Sequence, residues 1–573
     1  MGLIRAVSGA SMQGCVGSSS MQTVYTVLIL LLVVGGTRLA AQLIPLPLPL
    51  IQIAAGAALA WPSLGLHVAL DPELFMFLFI PPLLFADGWR MPKGEFWKMR
   101  WPILTLAFAL VLFTVLGGGV FIHLLIPEIP WAAAFALAAV LSPTDALAVS
   151  AIAQDRLPRR LMHVLQGEAL MNDASGLVAF KFALAAAMTG TFSLMDASLS
   201  FLLVAIGGLA CGVFLSWLLG RIRGWMIRRG WDDPATHVVL MLLLPFACYM
   251  IAEQLGVSGI LAAVAAGMMQ SWVDLLPRQT NTRLLNRSVW SMLEFAFNGV
   301  VFLLLGLQLP DILKSVAHHA DDVMWRSSLL AFYVLAVFAV LLLLRFGWVW
   351  CYWKVSVRFE QWWGVELGGR SGEPVLRLSA ISALGGVRGA VTLAGVLSVP
   401  LLLLDGSAFP QRDLIIFIAT GVILVSLVAA TIGLPILLRG LPAASNDQRE
   451  REVQSVWRKT AAAAIHMLES EEMPVRDGAD ADEAARLAEV RARLMAEYRH
   501  ELDPAPDTQE ARERARGLEL ADQALRIKAL RAQRLELYRM RREHEIDDET
   551  MREVLGELDS QEAWVTSKAG RWV

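Results

Sequence analysis

Thirteen apolar stretches, each near the length needed to cross a bilayer, run through the first 440 residues of this chain. They lie near 23–43, 45–62, 70–88, 101–125, 131–153, 161–187, 197–220, 235–254, 257–272, 288–309, 327–353, 378–404 and 413–438. The hydrocarbon core takes about 17–25 residues of helix. It offers no water to an unpaired peptide group, so a chain with this pattern must fold into helices that satisfy their own backbones. The expected fold is all-α: a polytopic membrane protein with about thirteen transmembrane helices. A hydrophobic content of 56% and a mean hydropathy of +0.54 agree with a lipid solvent rather than water. The second and ninth stretches are short, and the second carries Pro45, Pro47, Pro49 and Pro62, so each has a re-entrant segment as its alternative.

Charge is distributed unevenly. About half of the 49 basic and 52 acidic residues fall in 445–573, which divides the chain into a tail over 1–21, a membrane part over 22–440 and a charged part over 441–573. The last reads as helices with narrow apolar stripes, a small bundle or a coiled segment facing a second copy, with Pro504 and Pro506 interrupting it. The opening residues MGLIRAVSGASMQGCVGSSS lack the apolar core of a signal peptide. With the N-terminus outside, alternate inward loops carry Arg90, Lys93, Lys98 and Arg100; Arg156, Arg159 and Arg160; Arg221, Arg223, Arg228 and Arg229; Arg278, Arg283 and Arg287; and Lys354, Arg358, Arg370 and Arg377. The outward loops carry Lys314, Arg326 and Arg412. Positive charge resists translocation, so this bias places the charged tail in the cytoplasm and the protein in the cell (inner) membrane. Cys15, Cys211, Cys248 and Cys351 are spaced for neither a disulfide framework nor a zinc site.

A charge at depth in a membrane segment costs at least a few kcal/mol unless paired or hydrated, so each one is a functional candidate. Those at depth are Asp145, Glu168, Asp173, Lys181, Glu294, Arg345 and Arg388. In LSPTDALAV, Pro143 removes a backbone donor and disfavours helix at Ser142. The helix is expected to break there, leaving free carbonyls and N–H groups of the kind transporters use to hold ions. Asp145 offsets the positive end of the following half-helix, and Thr144 supplies oxygen. In GEALMNDASGLV, Asn172 and Asp173 offer hard oxygen ligands. A carboxylate that takes either H⁺ or Na⁺ makes the two compete for one place, and exchange follows if only the neutralised site crosses the membrane. One such carboxylate beside a neutral Asn points to one cation for one proton. In GGVRGAVTLA, Gly385, Gly386 and Gly389 allow unwinding around Arg388, whose expected partner is Glu168. The double proline Pro81-Pro82 is expected to break the third span, and Lys181 and Arg345 to reach an interface or bond to backbone. Glu294 has no partner that the sequence identifies.

These three motifs, in this order, resemble the sodium/proton exchangers of monovalent cation–proton antiporter family 1, in its "ND" branch. PPLLFADGW, VSGILAAVAAG and FNGVVFLLLGLQL match further stretches of that family, and the resemblance covers roughly 22–440. It implies a homodimer of thirteen-helix protomers with inverted repeats and two discontinuous crossing helices, each with a dimerisation domain and a six-helix core that moves as an elevator. It further implies electroneutral exchange, with Asp173 the ion- and proton-binding carboxylate, Asn172, Thr144 and Asp145 completing the transported-Na⁺ site, and Glu168 with Arg388 a structural ion pair. Two positions depart from the family pattern. Ala169 stands where many members carry a Ser ligand, and Ala86 where members carry an acid, with Asp87 one residue further on.

The expected function is therefore Na⁺ (or Li⁺) exchange for H⁺, serving pH and sodium homeostasis. The thinner ligand set leaves K⁺/H⁺ exchange open. A sensor or scaffold with a vestigial core is the reading from another class; it gives no reason to keep costly buried charges. No phosphate loop, nucleophile elbow or His-rich metal site suggests an enzyme, a cofactor or a nucleic-acid partner. His318 and His319, in an outward loop, are read as solvated rather than as a pH sensor.

Overall fold

Every described residue with regular structure is helical, as a medium without water requires. The computed structural model describes residues 25–44, 46–60, 72–153, 157, 159–189, 194–273, 280–317, 323–363, 375–403, 406–439, 446–470, 481–502, 509–546 and 548–569. The tail over 1–21, Pro45 and Pro62, and His318 and His319 lie outside these. The chain divides into two compact units, Met1–Leu441 and Pro442–Val573.

In the first unit the helices are α1 (Tyr25–Leu43), α2 (Leu48–Leu59), α3 (Pro72–Arg90), α4 (Lys93–Lys98), α5 (Arg100–Leu104), α6 (Val111–Leu125), α7 (Trp131–Val140), α8 (Ala146–Ala153), α9 (Arg159–Thr189), α10 (Leu194–Arg228), α11 (Pro234–Gln254), α12 (Gly259–Val273), α13 (Thr280–Ala317), α14 (Val323–Trp363), α15 (Val375–Leu384), α16 (Ala390–Leu397) and α17 (Arg412–Leu438). A π-helical turn, Thr105–Leu110, joins α5 to α6 in one continuous span. Helix lies along each apolar stretch read from the sequence. Among the described residues eight helices are long and apolar enough to cross a membrane, and shorter apolar helices, α2, α7, α12 and α15 among them, pack between them.

The sequence expectation fails at Pro81-Pro82. Helix α3 runs unbroken through both prolines, because neighbouring helices hold its backbone in place where water cannot compete for the freed carbonyls. Its hold on α12 is very close: a Cβ on Gly88 would strike the Val264 carbonyl oxygen, and one on Gly267 the backbone of Phe85. Small residues of this kind allow helices to touch backbone to backbone in lipid, where apolar burial alone gives no preference for protein over lipid. This contact fixes which face of α3 is turned toward the rest of the unit. Ala86 is fully buried in a cluster with Phe85, Met241, Ala262 and Trp290, and Asp87 comes about 100° further round the helix.

The second unit contains α18 (Asn446–Ser470), α19 (Ala481–Leu502), α20 (Gln509–Arg542) and α21 (Asp548–Ala569). It is built from two helix pairs. Leu530 and Leu537 of α20 bury against Met551 and Leu558 of α21, and Arg534 reaches Asp559, at 2.5 Å, and Glu562.

Candidate functional site

Two interrupted helices meet inside the first unit. Helix α7 stops at Val140, and Leu141–Asp145 run without helix before α8 begins. Helix α15 stops at Leu384, and Gly385–Gly389 separate it from α16. Pro143, Gly385, Gly386 and Gly389 thus all lie in the two irregular segments. The segments are joined to each other: the Asp145 N–H donates to the Val387 carbonyl at 2.7 Å.

The junction brings four helix ends together, and charged side chains of opposite sign serve them. Asp145 Oδ1 accepts from the Ala148 N–H at 3.1 Å, at the positive start of α8. The same carboxylate lies against Gly389, the residue that caps α16, where any Cβ would overlap it. At the negative ends, Arg388 Nε donates to the Leu141 carbonyl at 2.9 Å and Nη1 to that of Gly386, while Arg345 Nε donates to the Ser382 carbonyl at 3.0 Å. Anions at helix N-termini and cations at C-termini offset the helix dipoles, so the broken backbone is held in place by its own charges.

Helix α9 supplies the groups that face this junction. Asn172, almost fully buried, donates from Nδ2 to Thr144 Oγ1 at 2.8 Å and lies 3.5 Å from Glu168 Oε1; its Oδ1 accepts from the Thr144 N–H at 3.4 Å. Its two ends fix the irregular segment to α9. One turn on, Ser175 Oγ donates to the Ala107 carbonyl in the π-helical turn at 2.6 Å, so α9 is also tied to the α5–α6 span. Asp173 is 9% exposed. Asp145 and Asp87 lie within Coulombic reach of it, and among the described residues no basic side chain forms an ion pair with it. Ala169, where a Ser ligand was looked for, is buried and apolar.

The expected ion pair between Glu168 and Arg388 is corrected. Glu168, fully buried, is gripped by Arg345 of α14, with Nη1 on Oε1 and Nη2 on Oε2 at 2.7 Å. Such fork-to-fork pairing is among the strongest neutralising contacts available to a buried carboxylate. Arg388 is close enough to act on Glu168 electrostatically, but its Nε and Nη1 donate to the Leu141 and Gly386 carbonyls. Arg345 was expected to reach an interface or backbone. It does bond to backbone at Ser382, and its two terminal nitrogens make the salt bridge. Lys181 reaches another carboxylate, Glu253 of α11, at 3.0 Å. Glu294 of α13 is paired with Arg90 of α3.

Asp87, noted from the sequence as lying one residue beyond the expected acid but not counted among the charges at depth, joins the electrostatics of the site. It is half-buried, and Glu294, Asp145 and Arg90 all act on it electrostatically. The acid absent at Ala86 is thus present one residue on, within electrostatic reach of Asp145, while Ala86 packs against α11 and α12. The signal for Arg345 was available too. A mid-span arginine needs an anion just as Arg388 does, and two arginines compete here for one Glu168.

A helical membrane bundle in which two broken helices meet, beside a buried carboxylate with no basic partner among the described residues, is an arrangement of ion-coupled secondary transporters. A family model for the transmembrane sodium/hydrogen exchanger matches residues 28–440, and the chain belongs to that family of monovalent cation:proton antiporters. It is 47% identical over 552 residues to the Escherichia coli K12 protein named uncharacterized Na(+)/H(+) exchanger YjcE, covering 95% of this chain and 99% of that one. It is 40% identical to a sodium, potassium, lithium and rubidium/H(+) antiporter of Bacillus pumilus, over 92% of this chain and 76% of the relative. Among solved structures, the sodium proton antiporter MjNhaP1 of Methanocaldococcus jannaschii at pH 8 superposes with a TM-score of 0.56 at 16% identity, over 73% of this chain and 98% of that one. This likeness is one of fold. The protein is thus a multi-pass membrane antiporter.

Proposed function

We propose that this antiporter exchanges Na⁺ or Li⁺ for H⁺ by competition at Asp173, one cation for one proton. The observation that carries the reading is a carboxylate buried in a membrane unit with no basic partner among the described residues, within electrostatic reach of two further carboxylates. An unpaired carboxylate in such surroundings is too costly to leave ionised. It must hold either a proton or a metal cation, and taking up one expels the other. Asn172 and Thr144 position the oxygens around it, and Asp145 contributes from the start of α8. Glu168 carries no exchangeable role in this scheme, because Arg345 already neutralises it.

Further parts of the reading follow from the family to which the chain belongs. The protein works as a homodimer in the cell membrane, with its N-terminus outside and the charged helical unit in the cytoplasm, and the ion-binding core moves as an elevator. Its service to the cell is pH and sodium homeostasis.

A second reading has its own support: K⁺/H⁺ exchange. The Bacillus pumilus relative is named for potassium and rubidium as well as sodium and lithium, and Ala169 leaves room where a short oxygen ligand would favour a small ion. Everted membrane vesicles carrying an imposed pH gradient, challenged in turn with Na⁺, Li⁺ and K⁺, separate the two readings. Asp173→Asn must abolish every response. Dissipation equal to wild type in that variant would refute the site.

A further inference from the structure

Helices α1 and α13 pack antiparallel, with Val34 seated on Gly299, where a Cβ would overlap it. One turn along each helix, the Arg38 guanidinium lies over the Phe295 ring, 4.9 Å from its centroid. Beside this contact lies an open groove of about 500 Å³ lined by Arg38 of α1 and by Arg287, Ser288, Ser291, Met292 and Phe295 of α13. Two features set this groove apart. Arg38 and Arg287 have no carboxylate partner among the described residues, and each lies near one end of its apolar span. The lining is also amphipathic: two guanidinium groups and two hydroxyls stand beside Met292, which is 63% exposed, and Phe295.

We propose that this groove binds the phosphate headgroup of an anionic phospholipid. Guanidinium groups pair with phosphate oxygens through two parallel N–H donors, and hydroxyls at Ser288 and Ser291, one turn apart on α13, add donors to the same oxygens. Met292 and the ring of Phe295 give the start of the acyl chains an apolar wall. Basic pockets between membrane helices at headgroup level suit such lipids, and the long arginine side chains reach that level from within the span. A zwitterionic lipid carries its own cation beside the phosphate and gains less from the two arginines. The bound lipid fills the groove between α1 and α13 and so braces α1 against α13.

The test uses the full-length protein, purified and delipidated in detergent. Melting temperature is read after adding phosphatidylglycerol, cardiolipin, phosphatidylcholine or inorganic phosphate, and lipid adducts and oligomeric state are read by native mass spectrometry. The two anionic lipids are expected to raise the melting temperature above the phosphatidylcholine value and to survive as adducts. Both effects should be lost in R38Q/R287Q and reduced in R287Q, a conservative exchange at an exposed position that leaves folding intact. Retention of the anionic-lipid shift in both variants would overturn the proposal. So would an equal shift from inorganic phosphate, which would make the ligand a soluble anion, or a loss of dimer in R38Q/R287Q irrespective of lipid, which would make the face a contact between copies.

Discussion

Arg345 of α14 holds both carboxylate oxygens of Glu168 on α9 while its third nitrogen takes the Ser382 carbonyl at the end of α15. One side chain thereby links a neutral brace on the ion-site helix to the end of a broken helix. Breaking a buried pair strands a charge and costs about 3–5 kcal/mol. Arg345→Ala and Glu168→Ala should each lower the melting temperature sharply, and the double variant should lose far less than the sum of the two. The coupling for Glu168 with Arg345, read by a double-mutant cycle, should exceed that for Glu168 with Arg388. The reverse order would restore the pairing expected from sequence.

Thr144→Val tests the link between α9 and the irregular segment. It removes the 2.8 Å bond from Asn172 and keeps the shape, at a cost of about 1 kcal/mol. The stability change should be small, yet the apparent affinity for the cation should fall several-fold in vesicle assays. Unchanged affinity would show that Thr144 serves structure alone.

Asp87 stands where its charge reaches Asp145 and also the Arg90–Glu294 pair. Asp87→Asn should leave exchange running while changing the ratio of Na⁺ to K⁺ responses, because it withdraws one negative charge from the approach to Asp173. Moving the acid back, in Ala86→Asp/Asp87→Ala, should fail to restore the ratio, since position 86 faces the packed cluster with Trp290. An unaltered ratio in Asp87→Asn would remove Asp87 from the site.

Outside the membrane, Asp233 caps α11. The Thr236 hydroxyl and N–H donate to its carboxylate at 2.6 and 2.8 Å, and these bonds hold its carboxyl below the usual carboxylate range. A carboxylate with a depressed folded-state pKa contributes stability above its unfolded pKa, near 3.9, and loses it as the pH falls through the lower folded value. Asp233→Ala should therefore weaken α11 at neutral pH and make no difference in strong acid. Hydrogen exchange of the first turn of α11 at the two pH values reads the difference.

The helices were legible because lipid leaves the chain no other structure, and the break at Leu141–Asp145 because Pro143 removes a donor there. Pro81-Pro82 misled for the same reason: a proline ends a helix only where something else can satisfy the freed carbonyls, and packing on α12 decides that, which no local pattern records. Asp145, Asn172 and Glu168 stood out as costly charges or polar groups in apolar runs. Their partners did not, because pairing depends on which helices touch. Arg388 and Arg345 are equally plausible beside Glu168 until Leu141 and Gly386 are seen to occupy Arg388. Asp87 was discounted for a shift of one position, which on a helix is a different face.

Release of protons by the cation is the most direct test of competition at Asp173. Purified protein in weak buffer, at a pH where the site is protonated, is mixed with Na⁺ while a pH indicator is followed. Wild type should release about one proton per cation bound, and its apparent Na⁺ affinity should fall about tenfold for each unit of acidification below the site's own pKa. Asp173→Asn should release none. Undiminished, saturable release from that variant would place the exchanging acid elsewhere in the molecule.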